Sequence, residues 1–111
     1  MFKVRSGAVL FVCLMAIAAH LSVAADDFTD MPDDKGRLEV FVQCSLCHSM
    51  QIVNQQGLSR DAWKKLLVWM VDEQEMTEMD STTELLVLDY LSKHYSPETQ
   101  KDRLRNRGLL P

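Results

Sequence analysis

Two thiols and one imidazole lie within the five-residue segment CSLCH, which runs from Cys44 to His48. Thiolate sulfur and imidazole nitrogen are side-chain ligands for zinc and for haem iron, and a pair of thiols can also form a disulfide. The segment therefore predicts one of three sites: a haem, a zinc ion or a thiol–disulfide pair.

The spacing of these residues favours haem. Cys44 and Cys47 are three residues apart, which on a helical turn places both sulfur atoms on one side, within reach of two vinyl groups. His48 follows at once and can place its imidazole beneath the ring. C-x-x-C-H is the attachment signature of c-type haem. We therefore predict one haem c per chain, bound through thioethers to Cys44 and Cys47, with His48 as the proximal iron ligand.

The two alternatives fit the rest of the chain less well. A structural zinc site needs four ligands, and the sequence offers only Cys44, Cys47, His48 and His94, in an unusual spacing. A thiol–disulfide enzyme with C-x-x-C is typical of a βαβ pattern, and no alternating strand pattern is present. Haem remains the favoured interpretation.

The first 25 residues have the pattern of a secretory signal peptide. Lys3 and Arg5 precede an apolar run from Ala8 to Ala19, and small residues follow before an acidic stretch. The run is about a dozen residues long, shorter than the ~20 that a membrane-spanning helix needs. We expect cleavage after Ala25, export to the periplasm and no stable membrane span afterwards, with an uncleaved anchor as the alternative.

Cleavage would change the charge and size of the chain. Without Lys3 and Arg5, ten basic residues face sixteen acidic ones, for a net charge near −6. This charge disfavours nucleic acid, whose phosphates would repel it, and favours a partner with a basic face. About 86 of the 111 residues remain, which is marginal for a hydrophobic core. Only Cys44 and Cys47 remain as cysteines, so a large apolar cofactor is the better supplement.

The sequence predicts an all-α domain over residues 35–96. The first helix is expected over residues 35–50, and its apolar spacing predicts that Leu38, Phe41 and Val42 lie on the buried side. No strand is expected in this domain.

Two more helices follow a loop over residues 51–58. Ser59 is a good N-cap for the second helix, whose apolar stripe has the i, i+3, i+4, i+7 spacing of one buried face. Ser81 and Glu84 predict a capping box at the start of the third helix, which Pro97 ends. The stripe of the second helix consists of Trp63, Leu66, Leu67 and Met70.

The two ends of the mature chain are expected to be peripheral. Residues 26–34 predict an extended acidic lead-in, and residues 97–111 predict a charged C-terminal tail. A solvated, frayed end is the expected state of this tail. Its basic residues are Lys101, Arg103, Arg105 and Arg107.

The chain resembles the small bacterial monohaem cytochromes c of the class I type. The resemblance is carried by the segments GRLEVFVQCSLCH, GLSRDAWKKLLVWM and LLVLDYLSKHY. It implies the cytochrome c fold, in which three main helices enclose one covalently bound haem and the first helix crosses the last near the haem edge. The narrower similarity is to periplasmic cytochrome subunits or partners of dehydrogenases such as sulfite dehydrogenase. The residues that match the helix crossing are Gly36, Phe41, Tyr90 and Leu91.

The resemblance also implies a second axial ligand, usually a methionine in a loop after the middle helix. Met76 lies in such a position and is the predicted distal ligand, with Met70 as the alternative. Met79 and His94 are weaker candidates, and His94 is expected at the exposed end of its helix. The second N–H of His48 needs an acceptor, which the family often supplies from a proline carbonyl. The loop SMQIVNQQGLS contains no proline, so the sequence does not identify this acceptor.

These expectations describe a single-electron carrier and not an enzyme, because protein ligands would fill both axial positions. The resemblance implies a periplasmic dehydrogenase as electron donor and another redox protein as acceptor. A haem-based sensor or small-ligand-binding protein, with a weak sixth ligand, is the alternative. The acidic connection after the second helix is either a solvated loop or a surface that steers a basic partner. Its carboxylates are Asp72, Glu73, Glu75 and Glu78.

Overall fold

The computed structural model describes residues 28–111, of which Met31–Pro111 form one compact unit. This unit contains helices and no strand, which confirms the prediction of an all-α protein. None of the helices among the described residues is long and apolar enough to cross a bilayer. The predicted signal peptide, residues 1–25, lies outside the described residues. The helices are α1 (Arg37–Cys44), α2 (Gln51–Asn54), α3 (Arg60–Glu73), α4 (Ser81–His94) and α5 (Pro97–Asn106).

The first helix is shorter than the sequence predicts. α1 ends at Cys44 and not at Met50, and the backbone N–H of Ser45 donates to the Phe41 carbonyl at 3.0 Å as the C-cap. Serine competes for backbone hydrogen bonds and therefore favours helix ends over helix interiors. The chain turns after Ser45, so Cys47 lies on this turn and not on a helix.

The buried face of α1 also differs from the prediction. Val40 is completely buried, whereas Leu38 and Val42 are 60% and 46% exposed. The apolar residues of this helix span more than half of its circumference, so their spacing alone does not select the buried residues. The contact with α4 determines instead which residues of α1 are buried.

α1 and α4 pack directly against each other, as the resemblance implies for the first and last main helices. Gly36, the residue before α1, has a φ of +94° and lies against the backbone of α4. A Cβ atom there would be 2.6 Å from the carbonyl oxygen of Leu86 and 3.0 Å from Cβ of Tyr90. Only glycine allows this approach, and Tyr90 is buried at the crossing.

We expect Gly36→Ala to lower the free energy of unfolding by about 2–5 kcal/mol. The left-handed backbone costs a residue with a Cβ roughly 1–2 kcal/mol, and overpacking against α4 adds about 1–3 kcal/mol. Gly108→Ala is the matched control, because Gly108 has a φ of +70° but nothing within 4 Å of its added Cβ. Gly108→Ala should lower the free energy of unfolding only through the left-handed backbone, by about 1 kcal/mol. Urea denaturation measures both, and equal losses would contradict close packing at Gly36.

Side-chain caps set the starts of α3 and α4. Ser59 Oγ accepts from the backbone N–H of Ala62 at 3.3 Å, which confirms Ser59 as the N-cap of α3. Asp80, and not Ser81, caps α4, and its Oδ1 accepts from two backbone N–H groups at 3.0 and 3.1 Å. A carboxylate at the positive end of a helix is the stronger acceptor. The side-chain hydrogen bond from Thr83 and these backbone bonds lower the pKa of Asp80.

The end of the predicted lead-in is packed against the helices. Met31 is only 2% exposed. Tyr90 donates from its hydroxyl to the carbonyl of Pro32 at 2.7 Å, and Arg37 Nη1 donates to the carbonyl of Met31 at 3.5 Å. Residues 31–34 are therefore part of the folded unit.

Asp34 joins this segment to the end of α4. Its Oδ2 lies 2.5 Å from Lys93 Nζ and 2.8 Å from His94 Nε2. These two partners hold the pKa of the Asp34 carboxyl well below its usual range. The His94 side chain is only 18% exposed, and its ring centroid lies 4.6 Å from that of Tyr90. The prediction of an exposed His94 is wrong, because the lead-in covers it.

The predicted charged tail contains a helix. α5 begins after Ser96, whose Oγ accepts from a backbone N–H of its first turn at 3.2 Å. Arg103 donates to the carbonyls of His94 at 2.8 Å and Gln56 at 3.1 Å, and its guanidinium lies 5.0 Å from the Tyr95 ring centroid. α5 buries no apolar residue completely, so hydrophobic spacing cannot reveal it. Contacts of Arg103 therefore hold α5 against the rest of the domain.

Candidate cofactor cavity

A cavity of about 550 Å³ lies between the C-x-x-C-H turn and α3. Its volume is within the ~300–1,000 Å³ typical of small-molecule and cofactor pockets. All three predicted residues of the motif and both predicted methionines line it. The lining residues are Gln43, Cys44, Cys47, His48, Ile52, Val53, Gln56, Trp63, Leu66, Leu67, Trp69, Met70, Gln74, Met76 and Leu91.

The two cysteines reach the cavity from a helix end and the turn that follows it. Cys44 is the last residue of α1 and Cys47 is exposed on the turn, yet both side chains line the cavity. Both thiols are free. Burial raises the pKa of the Cys44 thiol to about 11, so this thiol is protonated at neutral pH. Thiol–disulfide exchange needs a thiolate, so this environment disfavours it.

The imidazole of His48 is held by the adjacent backbone. Its Nδ1 lies 3.2 Å from the carbonyl oxygen of Ser49. A carbonyl only accepts, so in the neutral imidazole this contact places the hydrogen on Nδ1 and leaves the Nε2 lone pair available to a metal. Ser49 therefore supplies the acceptor that the sequence does not identify, and no proline is needed. A hydrogen bond from the ring nitrogen that does not bind the metal is the kind that orients a metal-bound histidine.

α3 supplies a second wall of the cavity. Its predicted apolar stripe lines the cavity, and within it Trp63 and Leu67 are buried. Trp63 Nε1 donates to the Tyr95 carbonyl at 3.0 Å, and the same carbonyl accepts from the backbone N–H of Leu58 at 3.0 Å. The polar end of the indole is thus satisfied, and its ring is left as apolar wall. The stripe consists of Trp63, Leu66, Leu67 and Met70.

Two methionines, Met70 and Met76, line the cavity. Met31 and Met50 are buried at 2% and 0% exposure, and neither is among the lining residues. Met79 lines a different depression beside α3. Met70 and Met76, the two methionines favoured by the sequence, therefore line the same cavity as His48. Their positions do not decide which of them is the ligand.

The chain turns back after α3 to bring Met76 to the cavity. The backbone N–H groups of Gln74 and Met76 both donate to the carbonyl of Met70 at 3.1 Å. Between them Glu75 adopts a φ of +57°, the left-handed conformation common at helix ends. This turn ties the backbone of one candidate ligand to that of the other.

Three glutamine amides in the cavity lining were not predicted. Gln43 lies on α1, Gln56 follows α2, and Gln74 caps the end of α3. Each amide has both donors and an acceptor. These glutamines are far apart in the sequence and share no motif. Only the folded structure shows that all three line one cavity.

The zinc interpretation loses its ligand set. Among residues 28–111, no group of three His, Cys, Asp or Glu side chains could hold a metal ion. His94 would have been the fourth ligand, but it is bonded to Asp34. Cys44, Cys47 and His48 remain as residues that border one cavity.

Comparison with known proteins finds no match to a family model, to a curated protein or to a solved structure.

Proposed function

We propose that the protein is a periplasmic single-electron carrier with one covalently attached haem c. One observation supports this more than any other. Cys44, Cys47 and His48 line the same cavity of about 550 Å³ as the thioethers of Met70 and Met76. This set supplies two sulfurs for thioether bonds, a nitrogen ligand and a sulfur ligand, which is the combination found in c-type cytochromes.

The lining of the cavity fits a haem in its chemistry. Apolar side chains from α2, α3 and α4 make up most of the wall and suit a flat apolar ring. Gln43 and Gln74 line the cavity and have amide donors that suit the two carboxylates of such a ring, whereas the Gln56 amide already donates to the Ile52 carbonyl at 3.2 Å. A haem takes only one protein ligand on each side, so it needs no cluster of three metal-binding side chains. When bound, it supplies an iron that alternates between two oxidation states.

With this group bound, the chain's own residues would suit a carrier and not an enzyme. His48 presents Nε2 because its Nδ1–H is held by the Ser49 carbonyl at 3.2 Å. Met76, on the turn fixed by the Met70 carbonyl, is the proposed second ligand, and Met70 is the alternative. If His48 and a methionine hold the iron, no ligand position would be left for substrate. A methionine ligand raises the haem potential relative to histidine, which suits a protein that accepts electrons.

The proposed setting is the periplasm, with residues 1–25 acting as the export signal. A periplasmic dehydrogenase would donate electrons to this chain, which serves either as a free carrier or as the cytochrome subunit of that enzyme. Another redox protein would accept them. The acidic excess of the chain suits partners with basic surfaces.

The test is an optical redox titration of the full chain, produced in a host that attaches c-type haem. The proposal predicts one reversible one-electron transition and no binding of carbon monoxide by the reduced protein at neutral pH. Ready binding of carbon monoxide would favour the haem-based sensor. A chain that acquires no haem in this host would overturn the proposal.

A further inference from the structure

A second depression, which we name the α3–α4 groove, lies beside the cofactor cavity and has a volume of about 190 Å³. One part of its lining is apolar and the other part carries carboxylates. No basic residue of the described chain is among its lining residues. The apolar part includes Val68, Val71 and Met79, and the carboxylates are Asp72, Glu78 and Glu84.

The carboxylates of the groove have no cationic partner within residues 28–111. None of the ion pairs in this part of the chain uses Asp72, Glu78 or Glu84. Two basic residues of α3, Lys64 and Lys65, line a neighbouring depression that shares Val68 with the groove. The lining of the groove itself therefore carries only negative charge.

The combination of apolar wall and carboxylates is complementary to an arginine or lysine side chain. Such a side chain buries its aliphatic stem on apolar surface and keeps its charged head among polar groups. Val68 is 49% exposed and can cover a stem of this kind. The carboxylates of Asp72 and Glu78 can then accept charge-assisted hydrogen bonds from the head.

The groove and the cofactor cavity share one wall residue. Leu67 lines both of them, so a molecule in the groove would lie next to the cavity. We propose that the α3–α4 groove docks an arginine or lysine side chain of a partner protein. The redox role of this partner rests on the proposed function, whereas the docking itself rests on the groove. Complementary charge at such a position increases the rate of association.

The experiment is a titration of the methyl-labelled full chain, in its reduced haem-loaded form, with a hexa-arginine peptide at low ionic strength. The methyl NMR signals of Val68, Val71 and Met79 should shift, and their dependence on peptide concentration gives a Kd. The double variant Asp72→Asn/Glu78→Gln should weaken binding about fivefold, as expected for the loss of two exposed charge pairs. The control Glu39→Gln/Asp102→Asn removes the same charge at two residues that line neither the groove nor the depression beside it, and it should change Kd less than about twofold.

Equal weakening in the two double variants would overturn the proposal, because net charge alone would then explain binding. Shifts spread over the surface, without preference for the groove methyls, would overturn it too. The two proposals fail separately in this experiment. A haem-loaded protein whose groove signals do not move contradicts only the docking site. A chain without haem whose groove signals move supports the docking site and contradicts the electron carrier.

Discussion

Replacing Cys44 and Cys47 together with serine is expected to abolish covalent haem attachment. A serine hydroxyl does not form the thioether bond, and no other cysteine remains once residues 1–25 are removed. A haem stain of a denaturing gel measures the covalent bond whether or not the variant folds. We expect a stained band for the native chain and none for the double variant.

The same double variant should also be less stable, because the cavity would lose the proposed haem. Empty apolar volume costs ~24 cal/mol per Å³. A dry cavity of about 550 Å³ would thus cost on the order of 10 kcal/mol, comparable to the whole stability of a small domain. The cavity opens to water, so the true loss is smaller. We expect a lower melting temperature and reduced helical circular dichroism.

Ser45→Ala is the control for the double cysteine variant. It changes a residue between the two cysteines and leaves C-x-x-C-H intact. This variant should stain like the native chain. A stained band in the double cysteine variant would contradict thioether attachment at Cys44 and Cys47.

The second large effect is expected from Met76→Ala. Loss of the sulfur ligand should remove the weak iron–thioether absorption band at the red end of the spectrum of the oxidised protein. The reduction potential should fall by on the order of 0.2 V, a fraction of the ~0.8 V range that axial ligands control. Optical spectroscopy and potentiometric titration measure the two changes.

Two further methionine variants test whether the effect is specific to Met76. Met79→Ala changes a methionine of the α3–α4 groove that does not line the cofactor cavity, and it should keep both the band and the potential. Met70→Ala removes a cavity side chain and should keep the band while lowering stability. Loss of the band in Met70→Ala, with the band intact in Met76→Ala, would show that Met70 is the ligand.

The sequence predicts α3 and its role well because local signals agree there. Ser59 caps the helix as predicted, and the side chains of the apolar stripe from Trp63 to Met70 line one cavity. The motif residues and Met76 also reach this cavity. Cap chemistry and a regular helical period are properties of neighbouring residues, so a single sequence contains them.

Other features depend on contacts between distant residues, and the sequence does not reveal them. Tyr90 and His94 fix the lead-in through Pro32 and Asp34, and Arg103 holds α5 to the carbonyl of Gln56. The residues of each pair are more than 40 positions apart in the sequence, so no local pattern predicts these contacts. The three cavity glutamines are hidden for the same reason.

The mass of the intact mature chain tests the central claim most directly. The chain is produced in a host that exports it and attaches c-type haem, and the protein is denatured before mass spectrometry. The account predicts the mass of residues 26–111 plus one haem, with the added mass on the peptide that contains Cys44 and Cys47. The bare mass of the polypeptide, with both thiols free to react with an alkylating reagent, would contradict it.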